Sequence, residues 1–206
     1  MTQESHSINP LREFVISMTK LVEQVNEESN LVKGATTHLS KLISIDNWLP
    51  EFCTIPHPEF YQQYLLHADP LERFSVVSFV WGPGQKTPIH DHCTWVLIGM
   101  LRGAEKGQRF KYDGTGKLIA DGPETIMNPG DIESVSPSVG DIHIVSNAFS
   151  DKTSISIHVY GANIGAVKRH IYAQDSGEVK NFVSGYSSAQ VPNLWDRSSE
   201  VRSQLN

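Results

Sequence analysis

The sequence predicts a mainly β protein: a closed antiparallel jelly-roll barrel behind an N-terminal helical cap. Three observations predict it. Apolar residues recur at three- and four-residue spacing in the N-terminal part, the period of a helix face. After Arg73, short runs rich in β-branched and aromatic residues take over. Turn residues separate those runs, at Gly82-Pro83-Gly84, Asp113-Gly114, Asp121-Gly122-Pro123, Asn128-Pro129-Gly130 and Val139-Gly140. Many short strands at this spacing suit a barrel or jelly roll, in which few edges remain open.

The elements follow in order. Asn9-Pro10 reads as a helix start, with Asn as cap and Pro at the first helical position. Leu11, Phe14, Val15, Met18, Leu21, Val22 and Val25 then form one apolar face. A second helix is expected over 37–47, burying Leu39, Leu42 and Ile43, with Pro50 closing the region. A third is expected over 58–67, carrying Phe60, Tyr61, Tyr64 and Leu65. Strands are expected over 74–81, 94–101, 108–112, 125–127, 132–136, 141–145 and 154–160. The last thirty-five residues are polar and less regular, with Asn193-Leu194-Trp195 as a segment able to pack back on the barrel. This gives a helical cap over 1–70, a barrel over 71–175 and an extension over 176–206 packing partly on the barrel, one structural domain overall.

Composition narrows the function. With 206 residues and 39% hydrophobic content, the chain fits one packed domain. A net charge of −6 argues against a nucleic-acid binder. Cys53 and Cys93 form neither a C-x-x-C pair nor a disulfide framework, so reduced thiols are expected. The N-terminus lacks the basic-then-apolar pattern of a signal peptide, and no apolar run approaches the ~18 residues of a membrane span. The expectation is a soluble, cytoplasmic protein with no membrane partner. Its oligomeric state is not readable.

The chemistry sits in the histidines. His90 and His92 are two residues apart, the spacing that sends alternate strand side chains to one face. His143 lies in a second β-like segment and completes a three-nitrogen set. Gly84 stands six residues before His90, Pro129 and Gly130 precede the second block, and Asn147 follows His143 by four. This pattern, G-x5-H-x-H and then a Pro/Gly turn with H-x3-N, resembles the cupin superfamily. Many cupins add a glutamate shortly after H-x-H. Here Cys93, Thr94, Trp95, Val96 and Leu97 stand there, so a set of three histidines without an acidic ligand is expected. Imidazole suits Fe, Zn, Cu and Ni alike, and three histidines with an open position are also a zinc arrangement.

A further constellation, Ser156-Ile157-His158-Val159-Tyr160, alternates polar residues toward one face. A hydroxyl, an imidazole and a phenol in a row can form a hydrogen-bond relay. Joined to Trp81-Gly82-x-Gly84 and His90-Asp91-His92, it makes the chain similar to the cysteine dioxygenase family of thiol dioxygenases from about Tyr61 to Tyr172. The resemblance implies one Fe(II) per chain held by His90, His92 and His143. It implies a catalytic relay of Ser156, His158 and Tyr160, and a small thiol and O2 as partners, the thiol becoming a sulfinic acid.

Two departures carry information. Mammalian members cross-link a cysteine to the tyrosine; the matching position here is Val96, so no thioether to Tyr160 is expected. Cysteine-specific members hold the substrate carboxylate with an arginine where this chain has Gln63, with Gln62 the alternative register. That resembles the bacterial glutamine-type branch associated with 3-mercaptopropionate, in which Arg169 would supply charge near the carboxylate and Tyr160 would also touch substrate. L-cysteine stays as the alternative thiol. A metal-binding cupin without redox chemistry, a zinc hydrolase or isomerase or a small-molecule binder, is the alternative of another class.

Overall fold

The computed structural model describes residues 7–187 and 198–205. The segment containing Asn193 and Trp195 lies outside them. Two helices open the chain, α1 (Asn9–Gln24) and α2 (Glu28–Ile43). Twelve strands follow: β1 (Gln62–Ala68), β2 (Ser75–Trp81), β3 (Ile89–His90), β4 (Val96–Arg102), β5 (Glu105–Tyr112), β6 (Leu118–Ala120), β7 (Thr125–Met127), β8 (Ile132–Val135), β9 (His143–Asn147), β10 (Ser154–Tyr160), β11 (Arg169–Tyr172) and β12 (Val179–Phe182). A short helix, α3 (Ser198–Ser203), comes last.

The strands form two antiparallel sheets, in the orders β1-β2-β10-β4-β8 and β12-β11-β3-β9-β5-β6, with β7 on β5. This is the mainly β jelly-roll behind an N-terminal helical cap that the sequence predicts, the cap consisting of two helices. β2 and β10 are buried along their whole length because both faces are covered. Val76, Val80, Ile155, Ile157 and Val159 pack against Leu11, Phe14, Met18, Leu39 and Leu42 of the helices. The opposite face, with Val77, Phe79, Trp81 and Tyr160, meets Met127 and Val145 of the second sheet in the barrel interior. Alternation along β10 thus puts isoleucines and valine under the helical cap and Ser156, His158 and Tyr160 inside. At Gly99 on β4, a Cβ would come within 3.1 Å of Leu39 and Ile43. A side chain there would press on the Leu39 and Ile43 side chains of α2, which would have to give by a few tenths of an ångström.

Several local expectations are corrected. Asn9 is the first helical residue rather than the cap; Ile8 precedes it, and the Asn9 amide oxygen instead accepts from the Arg12 guanidinium. α2 starts nine residues earlier than expected, because Glu27 caps it by accepting the N–H groups of Ser29 and Asn30 at 3.2 and 2.9 Å. Ser, Thr, Asn and Asp are the usual caps, so the Glu gave no start signal. The helix expected over 58–67 is not formed. A 3-10 turn spans Glu51–Thr54, and Gln62–Ala68 pairs with β2 instead. A short apolar run fits either period, and here the bonds to β2 decide. β6, β11 and β12 are strands that the sequence did not signal; β6 and β12 fold back on β5 and β11, and β11 takes its place from β3, far back along the chain. Among the described residues no helix is long and apolar enough to cross a membrane.

Candidate metal centre

β3 and β9 pair at one position, His90 opposite His143. Their ring centroids are 4.8 Å apart, and His92 lies 4.9 Å from each. All three rings are buried, with one donor nitrogen per ring within 4.8 Å of the others. His92 is not on the strand, which ends at His90. The side chain of Asp141 positions it: one carboxylate oxygen accepts the His92 and Cys93 amides at 2.9 and 2.8 Å, and the other meets His92 Nδ1 at 2.7 Å.

These contacts set the tautomers. Pro88 carbonyl, an acceptor only, lies 3.0 Å from His90 Nδ1, so that nitrogen carries the proton. Asp141 acts likewise on His92. In both rings Nε2 is left with its lone pair free. Neither nitrogen of His143 has a hydrogen-bond partner among the described residues. A buried imidazole with both nitrogens unpaired is costly unless a ligand takes one up. Burial and then mutual repulsion push the pKa of His92 and His143 well below the usual value, and burial takes His90 to about 4. Metal ligation needs neutral imidazoles, so burial, tautomers and unpaired nitrogens all fit a metal ion at this set. The carboxylate-to-histidine contact of Asp141 is the arrangement that orients a metal-binding ring. Sequence reasoning missed Asp141; its place two residues before His143, the same period as His90 and His92, was the available signal.

The relay is closed. Ser156 Oγ lies 2.8 Å from His158 Nε2, and His158 Nδ1 lies 2.9 Å from the Tyr160 hydroxyl, all buried. Phe79 stacks on His158 at 4.1 Å, and the Trp81 indole N–H donates to Ser156 Oγ at 3.4 Å. The Tyr160 ring is 5.9 Å from that of His92. Burial lowers the His158 pKa to about 3 and raises that of Tyr160, so the pair is neutral. Val96 is the cross-strand partner of Tyr160. Cys93, in a left-handed turn with φ 57°, directs its thiol to Asp91 at 3.6 Å and lies 3.9 Å from His170. Asp91, Cys93 and His170 are a second group with metal-capable donors, but Asp91 is already engaged by His170 and Tyr172 at 2.7 Å each.

Arg169 is 3% exposed, on β11 beside the histidines. Its Nη2 donates to Ser184 at 2.8 Å, its guanidinium sits 4.6 Å over Phe182, and its Nε has no partner among the described residues. No described carboxylate forms a salt bridge with it. Burial lowers its pKa, the mark of a charge short of solvation. Gln63 is on β1, opposite Phe79, and so on the inner face; Gln62 pairs with Val80 and faces the helical side. Gln63 is therefore the glutamine that shares a face with the relay. Its backbone exchanges hydrogen bonds with Ser187 at 2.9 and 2.8 Å.

No protein-family model matches the chain. Among solved structures, a cupin superfamily protein from Desulfitobacterium hafniense is similar at 13% identity and TM-score 0.43, over 57% of this chain and 93% of that one. A conserved protein with a double-stranded β-helix domain from Klebsiella pneumoniae aligns at 16% identity and TM-score 0.43, over 66% and 97%. An RmlC-like cupin protein from Ralstonia eutropha aligns at 14% identity and TM-score 0.42, over 71% and 74%. Likeness at this level carries no functional argument.

Proposed function

We propose that this chain is an Fe(II)-dependent thiol dioxygenase, with one iron held by His90, His92 and His143. It adds both atoms of O2 to the sulfur of a small thiol carboxylate, with 3-mercaptopropionate the substrate. The observation that carries the reading is a convergence. Three neutral histidines, the Ser156–His158–Tyr160 relay and a buried Arg169 with no carboxylate partner among the described residues meet in one barrel. The change R–SH + O2 → R–SO2− + H+ balances without an external reductant. Bound iron supplies the Lewis acidity and redox capacity for joining a thiol to O2.

The protein's own residues bind, orient and neutralise. Arg169 pairs with the substrate carboxylate, which supplies the anion that its buried guanidinium lacks. Tyr160 donates a hydrogen bond to that carboxylate or to the oxygen being transferred. His158 and Ser156 hold the phenol in place, and Phe79 fixes the imidazole. Gln63 is uncharged, so it offers no second cation to an α-carboxylate. That favours a thiol whose carboxylate is one carbon further away and which lacks an ammonium group. Three histidines without an acidic ligand are also a zinc arrangement, which keeps a non-redox metal-binding function as the competing reading.

The experiment is O2 uptake by anaerobically prepared, Fe(II)-loaded protein, comparing 3-mercaptopropionate and L-cysteine by kcat/KM. Stoichiometric sulfinate with 3-mercaptopropionate preferred is the expected result. A preference for cysteine would overturn the Gln63 argument alone. No thiol-dependent uptake with iron bound would overturn the dioxygenase and favour the non-redox reading.

A further inference from the structure

Glu105 is a fully buried carboxyl that the proposed chemistry does not use. It lies on the inner face of β5, opposite Asn147, and is 1% exposed. Neither of its oxygens has a full hydrogen bond among the described residues. The Ser156 hydroxyl and the Trp81 indole, both across the barrel on the first sheet, are the polar groups that act on it most directly. Ser156 is the first member of the relay, so the carboxyl stands at the end of the chain remote from Tyr160. The other charged or titratable groups bearing on it are Glu133 on β8, which is paired with Arg109, and Tyr160 on β10. Among the described residues no cation neutralises it.

We propose that Glu105 sets the direction of the Ser156–His158–Tyr160 chain, so that its protonation decides whether Tyr160 presents its O–H or its lone pairs to the substrate. This rests on the relay role proposed above. The argument is donor and acceptor counting. His158 is neutral and has one N–H to give. The Trp81 indole only donates, to Ser156 Oγ at 3.4 Å, and it also lies within reach of the Glu105 carboxyl. When Glu105 is protonated, it donates to Ser156 Oγ. Ser156 then donates to His158 Nε2, His158 Nδ1–H donates to the Tyr160 oxygen, and the phenol O–H is free to point at substrate. When Glu105 is ionised, Ser156 donates to it instead. His158 Nε2–H donates to Ser156, Nδ1 accepts from Tyr160, and the phenol turns its lone pairs to the substrate. One proton at Glu105 thus reverses three hydrogen bonds and exchanges the tautomer of His158. Burial, opposed by Ser156 and Trp81, raises the Glu105 pKa to about 7, so both arrangements are populated near neutral pH. Glu105 touches no reacting atom and is a positioning residue.

The test is imidazole nitrogen NMR on the full chain, histidine-labelled and loaded with zinc in place of iron, titrated through pH 7. In the wild type His158 should pass from the Nδ1–H to the Nε2–H tautomer as pH rises. In Glu105→Gln, whose amide does not titrate, His158 should keep a single tautomer throughout. The alkaline limb of kcat should disappear in the same variant, with KM for the thiol unchanged. A wild-type His158 that keeps one tautomer overturns the proposal without recourse to any variant, as does an identical switch in Glu105→Gln. The NMR result does not depend on turnover, so failure of thiol-dependent O2 uptake is a separate finding.

Discussion

Replacing Glu105 with glutamine should change how stability depends on pH, by an amount that follows from its burial. In the unfolded chain the carboxyl titrates near 4.5; in the folded protein burial moves it to about 7. The folded state therefore binds the proton more tightly. Below pH 4.5 both states are protonated and this group's contribution is fully present. Between 4.5 and 7 the unfolded chain releases its proton and the folded one retains it. Stability then falls with rising pH by about 1.4 kcal/mol per unit. Above 7 the loss is complete, roughly 3 kcal/mol in all. Glu105→Gln keeps the shape and removes the titration, so between pH 5 and pH 8 it should gain about 2.5 kcal/mol of stability relative to the wild type, part of the loss having already occurred at pH 5. Urea unfolding of metal-free protein at both pH values measures it. The difference between the two proteins is the quantity to read. Buried His90 and His158, with depressed pKa values, titrate with the opposite sign and cancel in the difference. Equal pH slopes for wild type and variant would refute the reasoning, because they would mean that the carboxyl is solvated or paired in the folded state.

Other perturbations have equally specific outcomes. Asp141→Asn removes the carboxylate that holds His92 and should weaken metal binding by about 10- to 100-fold, read by competition with a chelator. Arg169→Gln should lower kcat/KM for thiol carboxylates by roughly 30-fold or more, the scale of losing one partner of a buried ion pair. Its effect on cysteamine, which has no carboxylate, should be small, and an equal loss on both would refute carboxylate pairing. Tyr160→Phe should lower turnover or loosen discrimination among thiols; an unchanged profile across thiols would sink its assigned role. Leu39→Ala, at a fully buried position under the cap, should cost about 2–5 kcal/mol in denaturant unfolding while leaving metal affinity unchanged.

What the sequence determined by itself is what a local period can carry. The helical stripe of α1 and the alternation along β10 are legible because 3.6 and 2 are different periods and each stripe meets a single environment. His90, His92, His143 and the Ser-His-Tyr row are legible as candidates because metal-capable and hydrogen-bonding side chains stand there at short, regular spacing. The structure alone decided whatever depends on a partner far along the chain. The run from Gln62 to Ala68 is a strand only because β2 lies beside it. That pairing also turns Gln63 inward and Gln62 toward the helices. His92 has lost the strand that its spacing implied and takes its position from Asp141, forty-nine residues away. Glu105 and Arg169 are ordinary surface residue types in sequence. Burial is a property of the assembled sheets, and it turns one into an acid that titrates near neutrality and the other into a cation in want of an anion.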